Sequence, residues 1–273
     1  MASAATIRGR STLATAALDT LLITGRNLRK LTRVPGLIVF STIQPLMLLL
    51  LFSFVFGGIA KVPGINYREY IVPAVLVQTL TFAGATTGVG LATDLQTGMI
   101  DRFRSLPIAR SAVLVGRTLA DSVRIALQTV LLLIAAYIIG FRFLDGPLAA
   151  LAVFVLVVTF GACLSSFFAW LGLTLRDPET VQVAGFVPIF PLIFASSAFA
   201  PVRTLPGWMQ WFAKVNPVTA ATDTLRGLSV GSGPAHGFYT GHLGSSTWHM
   251  LLAMVTIFTL FTTMAVRRYR SVA

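Results

Sequence analysis

A chain of 273 residues that is 55% hydrophobic and only 11% charged, with a mean hydropathy of +0.82, lacks the polar surface of a soluble domain, where about a quarter of residues are charged. Its formal net charge of +12 invites a nucleic-acid reading. The basic residues, however, flank apolar blocks and line no aromatic groove, which argues against that partner. A lone cysteine, Cys163, sits inside an apolar run and excludes a disulfide framework or a multi-cysteine metal site.

Residues 1–35 offer no uninterrupted apolar core for a cleavable signal peptide, because Asp19, Arg26, Arg29 and Lys30 interrupt them. Leu13, Ala17, Leu21, Thr24, Leu28 and Leu31 recur at spacings of three and four, with Arg26, Lys30 and Arg33 on another stripe. This pattern predicts an amphipathic helix on the cytoplasmic face of a membrane, either an anchor that fixes topology or a surface that docks a partner. Beyond it, stretches free of Asp, Glu, Lys and Arg predict six transmembrane helices at about 36–60, 71–93, 119–141, 147–175, 180–202 and 247–266, since about 20 apolar residues cover the hydrocarbon core. The third must extend back past Arg124, whose side chain is expected to snorkel to the interface. Pro73 falls near the predicted start of the second span, and Pro188 and Pro191 should kink or shorten the fifth. Arg176-Asp177-Pro178-Glu179 reads as a tight hairpin in which Asp177 caps the fifth span.

Of the 21 lysines and arginines, fifteen fall on the side that holds both termini and the 94–124 loop. The positive-inside rule therefore predicts cytoplasmic termini in the plasma membrane, with 267–273 as a cytoplasmic tail. In the 94–124 loop, Leu95, Met99, Phe103 and Leu106 recur at helical spacing until Pro107 stops the helix. That segment is either a docking element or a loop helix resting on lipid. Arg117, Asp121 and Arg124 are spaced for ion pairing on one helix. Between spans five and six, Leu205, Trp208, Phe212 and Val215, with Trp211 beside them, predict a short helix at the outer interface. Asn216-Pro217 starts a second one that runs to Gly227. Its Asp223 and Arg226 are either an outer gate pair or a solvated helix face.

Several chemistries find no support. None of the lysines, Lys30, Lys61 and Lys214, is followed by the Ser or Thr of a P-loop. The predicted spans carry no mid-membrane ionisable residue of the kind that ion-coupled carriers use, and no filter loop is evident. His236, His242 and His249 lack zinc-site spacing. Gly84-Ala85-Thr86-Thr87-Gly88 permits close helix packing without naming a partner. An uncharged six-span protein without a motor works passively or borrows energy, and the loop at 94–106 favours borrowing.

At this point the sequence resembles the membrane subunits of type 2 ABC exporters, particularly daunorubicin-resistance permeases. The resemblance rests on Asp101-Arg102-Phe103-Arg104-Ser105-Leu106-Pro107-Ile108-Ala109-Arg110, Gly116-Arg117 with Asp121, Ser196-Ser197-Ala198-Phe199-Ala200-Pro201, Leu205-Pro206-Gly207-Trp208 and Asn216-Pro217-Val218-Thr219 through Leu225-Arg226-Gly227. It implies an all-α permease that pairs with a second protomer, identical or related, over two copies of a separate ABC ATP-binding subunit. ATP and Mg²⁺ would reside on that subunit, with no cofactor bound by this chain. It further implies a coupling helix that seats Asp94, Leu95, Met99, Asp101, Arg102, Phe103, Arg104 and Leu106 on the ATPase. The substrate path would be lined by the second and fifth spans, with Phe82, Phe186, Phe190 and Phe194 as candidates, although aromatic residues there also serve as core or lipid-facing groups. The implied cargo is a hydrophobic or amphipathic drug, antibiotic or lipid. Export of a cell-envelope lipid or glycan, or a membrane-embedded lipid-modifying enzyme, are the alternatives.

Overall fold

The structure, a computed structural model, describes residues 13–33, 35–57, 66–99, 110–231 and 243–272. Helices α1 (Leu13–Arg33) and α2 (Pro35–Leu51) come first, and α2 runs into a π-helical turn (Phe52–Phe56). Helices α3 (Tyr67–Ala83) and α4 (Ala85–Gln96) meet at Gly84 and are followed by α5 (Arg110–Ile138), α6 (Gly146–Leu175) and α7 (Pro178–Phe194). A 3₁₀ turn (Val202–Thr204), α8 (Gly207–Val215), α9 (Pro217–Val230) and α10 (Leu243–Val272) complete the order. No strand occurs among the described residues.

Among the described residues four runs are long and apolar enough to cross a membrane: Tyr67–Gln96, Val115–Ile138, Gly146–Leu175 and Gly244–Tyr269. Ser41–Phe56 and Pro178–Phe194 are apolar but shorter. The fifth expected span, 180–202, therefore ends early. At 17 residues, α7 reaches about 25 Å, short of a ~30 Å hydrocarbon core. Pro188 and Pro191 remove two donors from its ladder, and residues 195–200 form turns. The second span differs in another way. Its helix begins at Tyr67, so Pro73 lies well inside it, and it divides at Gly84, a break that hydropathy alone does not reveal.

The central helix is α6, which packs against α3, α4, α5, α7, α9 and α10. Glycines let it approach α4: a Cβ on Gly172 would fall 2.3 Å from the Gly88 carbonyl oxygen, and one on Gly88 would fall 2.5 Å from that of Phe168. The small-residue pattern at Gly84 and Gly88 thus serves packing within the chain. Phe168, fully buried, is wedged between Gly84 and Gly185, whose added Cβ atoms would meet its ring at 2.7 and 2.4 Å. Helix α3 is buried on nearly every face; Ile71, Val75, Leu76 and Leu80 join Ile125, Leu132, Val157, Phe160, Leu225 and Met254 in the main core.

At the start of the chain, α1 lies along α5, with Thr24 Oγ1 donating to the Gly116 carbonyl at 3.1 Å. Ile23 and Thr24 face inward, whereas Leu18, Leu21 and Leu22 stay exposed. The predicted stripe therefore splits, with Thr24 on the packed face and Leu21 on the open one. On α8, Trp208, Trp211 and Val215 project outward, as expected of an interfacial helix. Helix α9 is instead buried along almost its whole length, and it runs one turn past the expected end at Gly227.

Candidate functional site

The site begins where two helices lose backbone partners. Pro45 has no N–H for the carbonyl of Ser41 one turn earlier, and Gln128 Nε2 donates to that carbonyl at 3.0 Å and to Ser41 Oγ at 3.0 Å. At the α3–α4 joint, Thr87 N–H turns to the Gly84 carbonyl (3.0 Å). The Ala83 carbonyl is met instead by Arg124 Nη2 at 2.8 Å and by Thr86 Oγ1 at 2.8 Å. A cation at the carbonyl end of α3 also opposes the negative end of the helix dipole. Arg124 and Gln128 are one turn apart on α5 and touch each other at 3.3 Å, so a single helix face of α5 supports both interruptions. Arg124 does not snorkel: it is 7% exposed, because Ala83 and Thr86 give its donors partners inside the bundle.

Its charge has a counterpart in Asp121, 3.8 Å away, which accepts from Thr87 Oγ1 at 2.6 Å. Arg117 pairs with Asp94 rather than with Asp121. It reaches Asp94 by crossing Gly90, where an added Cβ would fall 1.7 Å from the guanidinium. Two acids and two arginines thus join α4 to α5 as a neutral ladder.

Beside this ladder a cleft of about 570 Å³ opens between α2, the α3–α4 joint, α5 and α7, a size that suits a drug-like molecule. Phe82, Phe186 and Phe190 form one wall, with edge-to-face ring centroids 5.4–6.0 Å apart. The ring contacts continue through Phe194, Phe199, Phe52 and Phe56 at 5.1–5.7 Å. All four phenylalanines predicted for the path therefore lie in one connected cluster, although only three line the cleft itself. Gln44, Gln78, Gln128 and Gln182 contribute amides from four helices. Sequence reading missed them because an isolated glutamine barely disturbs a hydropathy profile. The legible signals were Pro45 inside an apolar run and the Arg124–Gln128 spacing.

A second polar cluster lies at the opposite end of α3. Asp223 and Arg226 are almost wholly buried, not solvated, and stand 3.4 Å apart. Arg226 donates to the carbonyls of Tyr70 (2.9 Å), Ser197 (2.8 Å) and Ala198 (2.9 Å), and its guanidinium lies 3.6 Å from the centre of the Tyr70 ring. Ser197 Oγ donates to Asp223 at 2.6 Å, and Tyr70 OH donates to the Ser197 carbonyl at 2.9 Å. Asn216 caps α9 by accepting from Val218 N–H at 2.9 Å, and its own amide donates to the carbonyls of Leu192 and Ala195 at the end of α7. These bonds hold α9 to α3 and to the turn after α7.

The expected coupling helix is not continuous from Asp94. Helix α4 ends at Gln96, and the chain turns at Thr97–Gly98, where Gly98 has φ +66°; a left-handed residue of this kind ends a helix. Asp94 is committed to Arg117, and Leu95 packs with Ile23, Leu91 and Tyr269. Met99 follows the turn, while Asp101, Arg102, Phe103, Arg104 and Leu106 lie outside the described residues. Gln96 Nε2 donates to Asp177 at 3.3 Å, tying the end of α4 to the α6–α7 hairpin. There Arg176 takes a left-handed conformation, and Asp177 caps α7 as predicted, accepting from the Thr180 hydroxyl (2.6 Å) and amide (2.8 Å). Those bonds hold its carboxyl below the usual carboxylate range.

Comparison with known proteins gives the family of the chain. Residues 19–229 match the family described as ABC-2 type transporter. The chain is 32% identical over 223 residues to the daunorubicin resistance ABC transporter permease protein DrrB1 of Streptomyces coeruleorubidus, covering 82% of this chain and 79% of that protein. It is 27% identical over 215 residues to the probable doxorubicin resistance ABC transporter permease protein DrrC of Mycobacterium tuberculosis, covering 78% and 77%. It is also 27% identical over 206 residues to the putative transport permease ycf38 of Porphyra purpurea, covering 71% and 68%. The chain is a membrane protein of the ABC-2 type transporter family, a type 2 ABC permease.

Proposed function

We propose that this permease is the transmembrane subunit of an ATP-driven exporter for hydrophobic or amphipathic compounds such as drugs, antibiotics or lipids. The observation that carries the reading is the cleft whose aromatic wall of Phe82, Phe186 and Phe190 continues as a chain of ring contacts through Phe194. It gives an apolar molecule a connected surface on which to move. In this reading the chain crosses the plasma membrane six times, counting Ser41–Phe56 and Pro178–Phe194 as shortened spans. Both termini and the 94–109 segment are cytoplasmic, residues 1–35 lie on the cytoplasmic face, and 36–266 form the permease domain. Two copies of a separate subunit hold ATP and Mg²⁺ and engage Met99, Phe103 and their neighbours, while Asp94 and Leu95 transmit their displacement. A second protomer, identical or related, meets the exposed face of α7 along Val183 and Val187. Displacement then reaches the cleft by two routes, the Asp94–Arg117 pair into α5 and the Gln96–Asp177 contact into α7. The Asp223–Arg226 cluster holds the outer end closed. Export of a cell-envelope lipid or glycan would use the same parts, and the family favours transport over an enzymatic role.

The test is co-expression with the cognate P-loop subunit. A stable complex and ATP hydrolysis stimulated by cargo are expected, and Phe103→Ala and Phe103→Asp should uncouple hydrolysis from transport while leaving membrane insertion intact. Movement of cargo up a gradient by the isolated chain, or full transport with both substitutions, would overturn the reading.

A further inference from the structure

Among the described residues that line the cleft, one buried side-chain oxygen has no use inside the fold. Gln78 projects from α3 into it and is 8% exposed, yet its Oε1 has no hydrogen-bond partner. A buried amide without a partner is costly, and its neighbours are committed elsewhere: Gln128 to Ser41, and Arg124 to Ala83 and Thr86. Gln44 and Gln182, by contrast, are exposed at the rim. The charge pattern is equally specific. Among the described residues no Asp or Glu lines the cleft, and the one cation that does, Arg124, is balanced by Asp121.

We propose that the cleft binds an uncharged amphipathic molecule, with a hydroxyl or amide group held by Gln78 and a flat, ring-rich body lying on Phe82, Phe186 and Phe190. A cationic ligand would have to shed its hydration beside Arg124 with no carboxylate to receive it. A carboxylate ligand would have to compete with Asp121 for Arg124. A neutral group with hydrogen-bonding capacity faces neither cost, and it satisfies the amide. The cleft volume of about 570 Å³ accommodates several fused rings and a short polar arm. Gln78 is then a specificity-determining residue. The physiological meaning rests on the exporter reading, whereas the binding itself does not.

The experiment uses the full chain in lipid nanodiscs and probes that share one body: 1-pyrenebutanol, butylpyrene and pyrenebutyl-trimethylammonium. Binding is read by fluorescence anisotropy against empty nanodiscs. Gln78→Leu should weaken 1-pyrenebutanol by about threefold to tenfold, the range of one neutral hydrogen bond, and leave butylpyrene as tight or tighter. The ammonium probe should bind at least about tenfold more weakly than the alcohol to the wild-type chain. Gln78→Leu should also melt at or above the wild-type temperature, because it removes a polar group that nothing satisfies. Equal effects of Gln78→Leu on alcohol and hydrocarbon, tight binding of the cation, no probe binding, or a marked loss of thermal stability would each overturn the proposal. Because no ATPase subunit takes part, this result and the co-expression result can fail independently.

Discussion

Removing the Arg226 guanidinium should release α9 from the rest of the bundle. Arg226→Met keeps most of the side-chain volume but deletes three hydrogen bonds to carbonyls, the contact with the Tyr70 ring and the cation beside a buried carboxylate. The carbonyls are not all orphaned, since Ser197 O keeps the Tyr70 hydroxyl; summing every lost bond would therefore overstate the damage. Most of the cost falls on Asp223, which is fully buried and loses its neighbouring cation while keeping the Ser197 hydroxyl. Breaking a buried pair from one side costs about 3–5 kcal/mol, which in a chain of this size corresponds to a fall on the order of 10 °C in melting temperature. The assay is a thermal melt in lipid nanodiscs at one fixed lipid composition. Arg226→Lys retains the charge but not the fork that reaches three carbonyls, and it should lose roughly half as much. The double variant Arg226→Met with Asp223→Asn removes the stranded charge and should recover part of the loss. A double variant no more stable than Arg226→Met, or Arg226→Met melting within about 2 °C of wild type, would refute the reasoning.

The same logic applies elsewhere. Arg124→Leu removes the cation beside Asp121, which keeps the Thr87 hydroxyl, and leaves the Ala83 carbonyl to Thr86 Oγ1; it should cost about 3–5 kcal/mol, and Asp121→Asn in the same chain should restore part of it, as read by thermal melting. The Asp177 cap should be sensitive to acid. Its folded-state pKa is depressed by the Thr180 bonds, so its stabilising effect is present above the ordinary carboxylate pKa and is lost as pH falls through the lower folded value. Hydrogen exchange at the Thr180 and Val181 amides, corrected for intrinsic rate, should lose protection over that acidic window. In Asp177→Asn, which keeps a capping oxygen at every pH, protection should hardly change.

How much of this was legible follows from what each residue has to satisfy. Long charge-free stretches announced the membrane helices because hydrocarbon tolerates little else, and Asp177-Pro178 announced a helix start because cap chemistry is local. The aromatic cluster was legible as residue types, but its pattern of contacts was not: Phe82 and Phe190 meet only because α3 and α7 flank the same cleft. The break at Gly84 was hidden for a different reason. A hydropathy window averages over it, and its cause is tertiary: Phe168 occupies the space that a side chain would need, while Arg124 arrives from α5 to satisfy the freed carbonyl. Arg124 consequently looked like an interface residue in sequence and proved to be an interior one. Read alone, a charge near the end of an apolar run argues for the headgroup region; read beside an interrupted helix one turn away, it argues for a buried cap. The two interruptions, at Pro45 and Gly84, are held by neighbouring positions on one face of α5, and both border the cleft. A rotation of α5 would therefore disturb both joints together, so the helix that reaches the 97–109 segment is also the helix that sets the shape of the binding space.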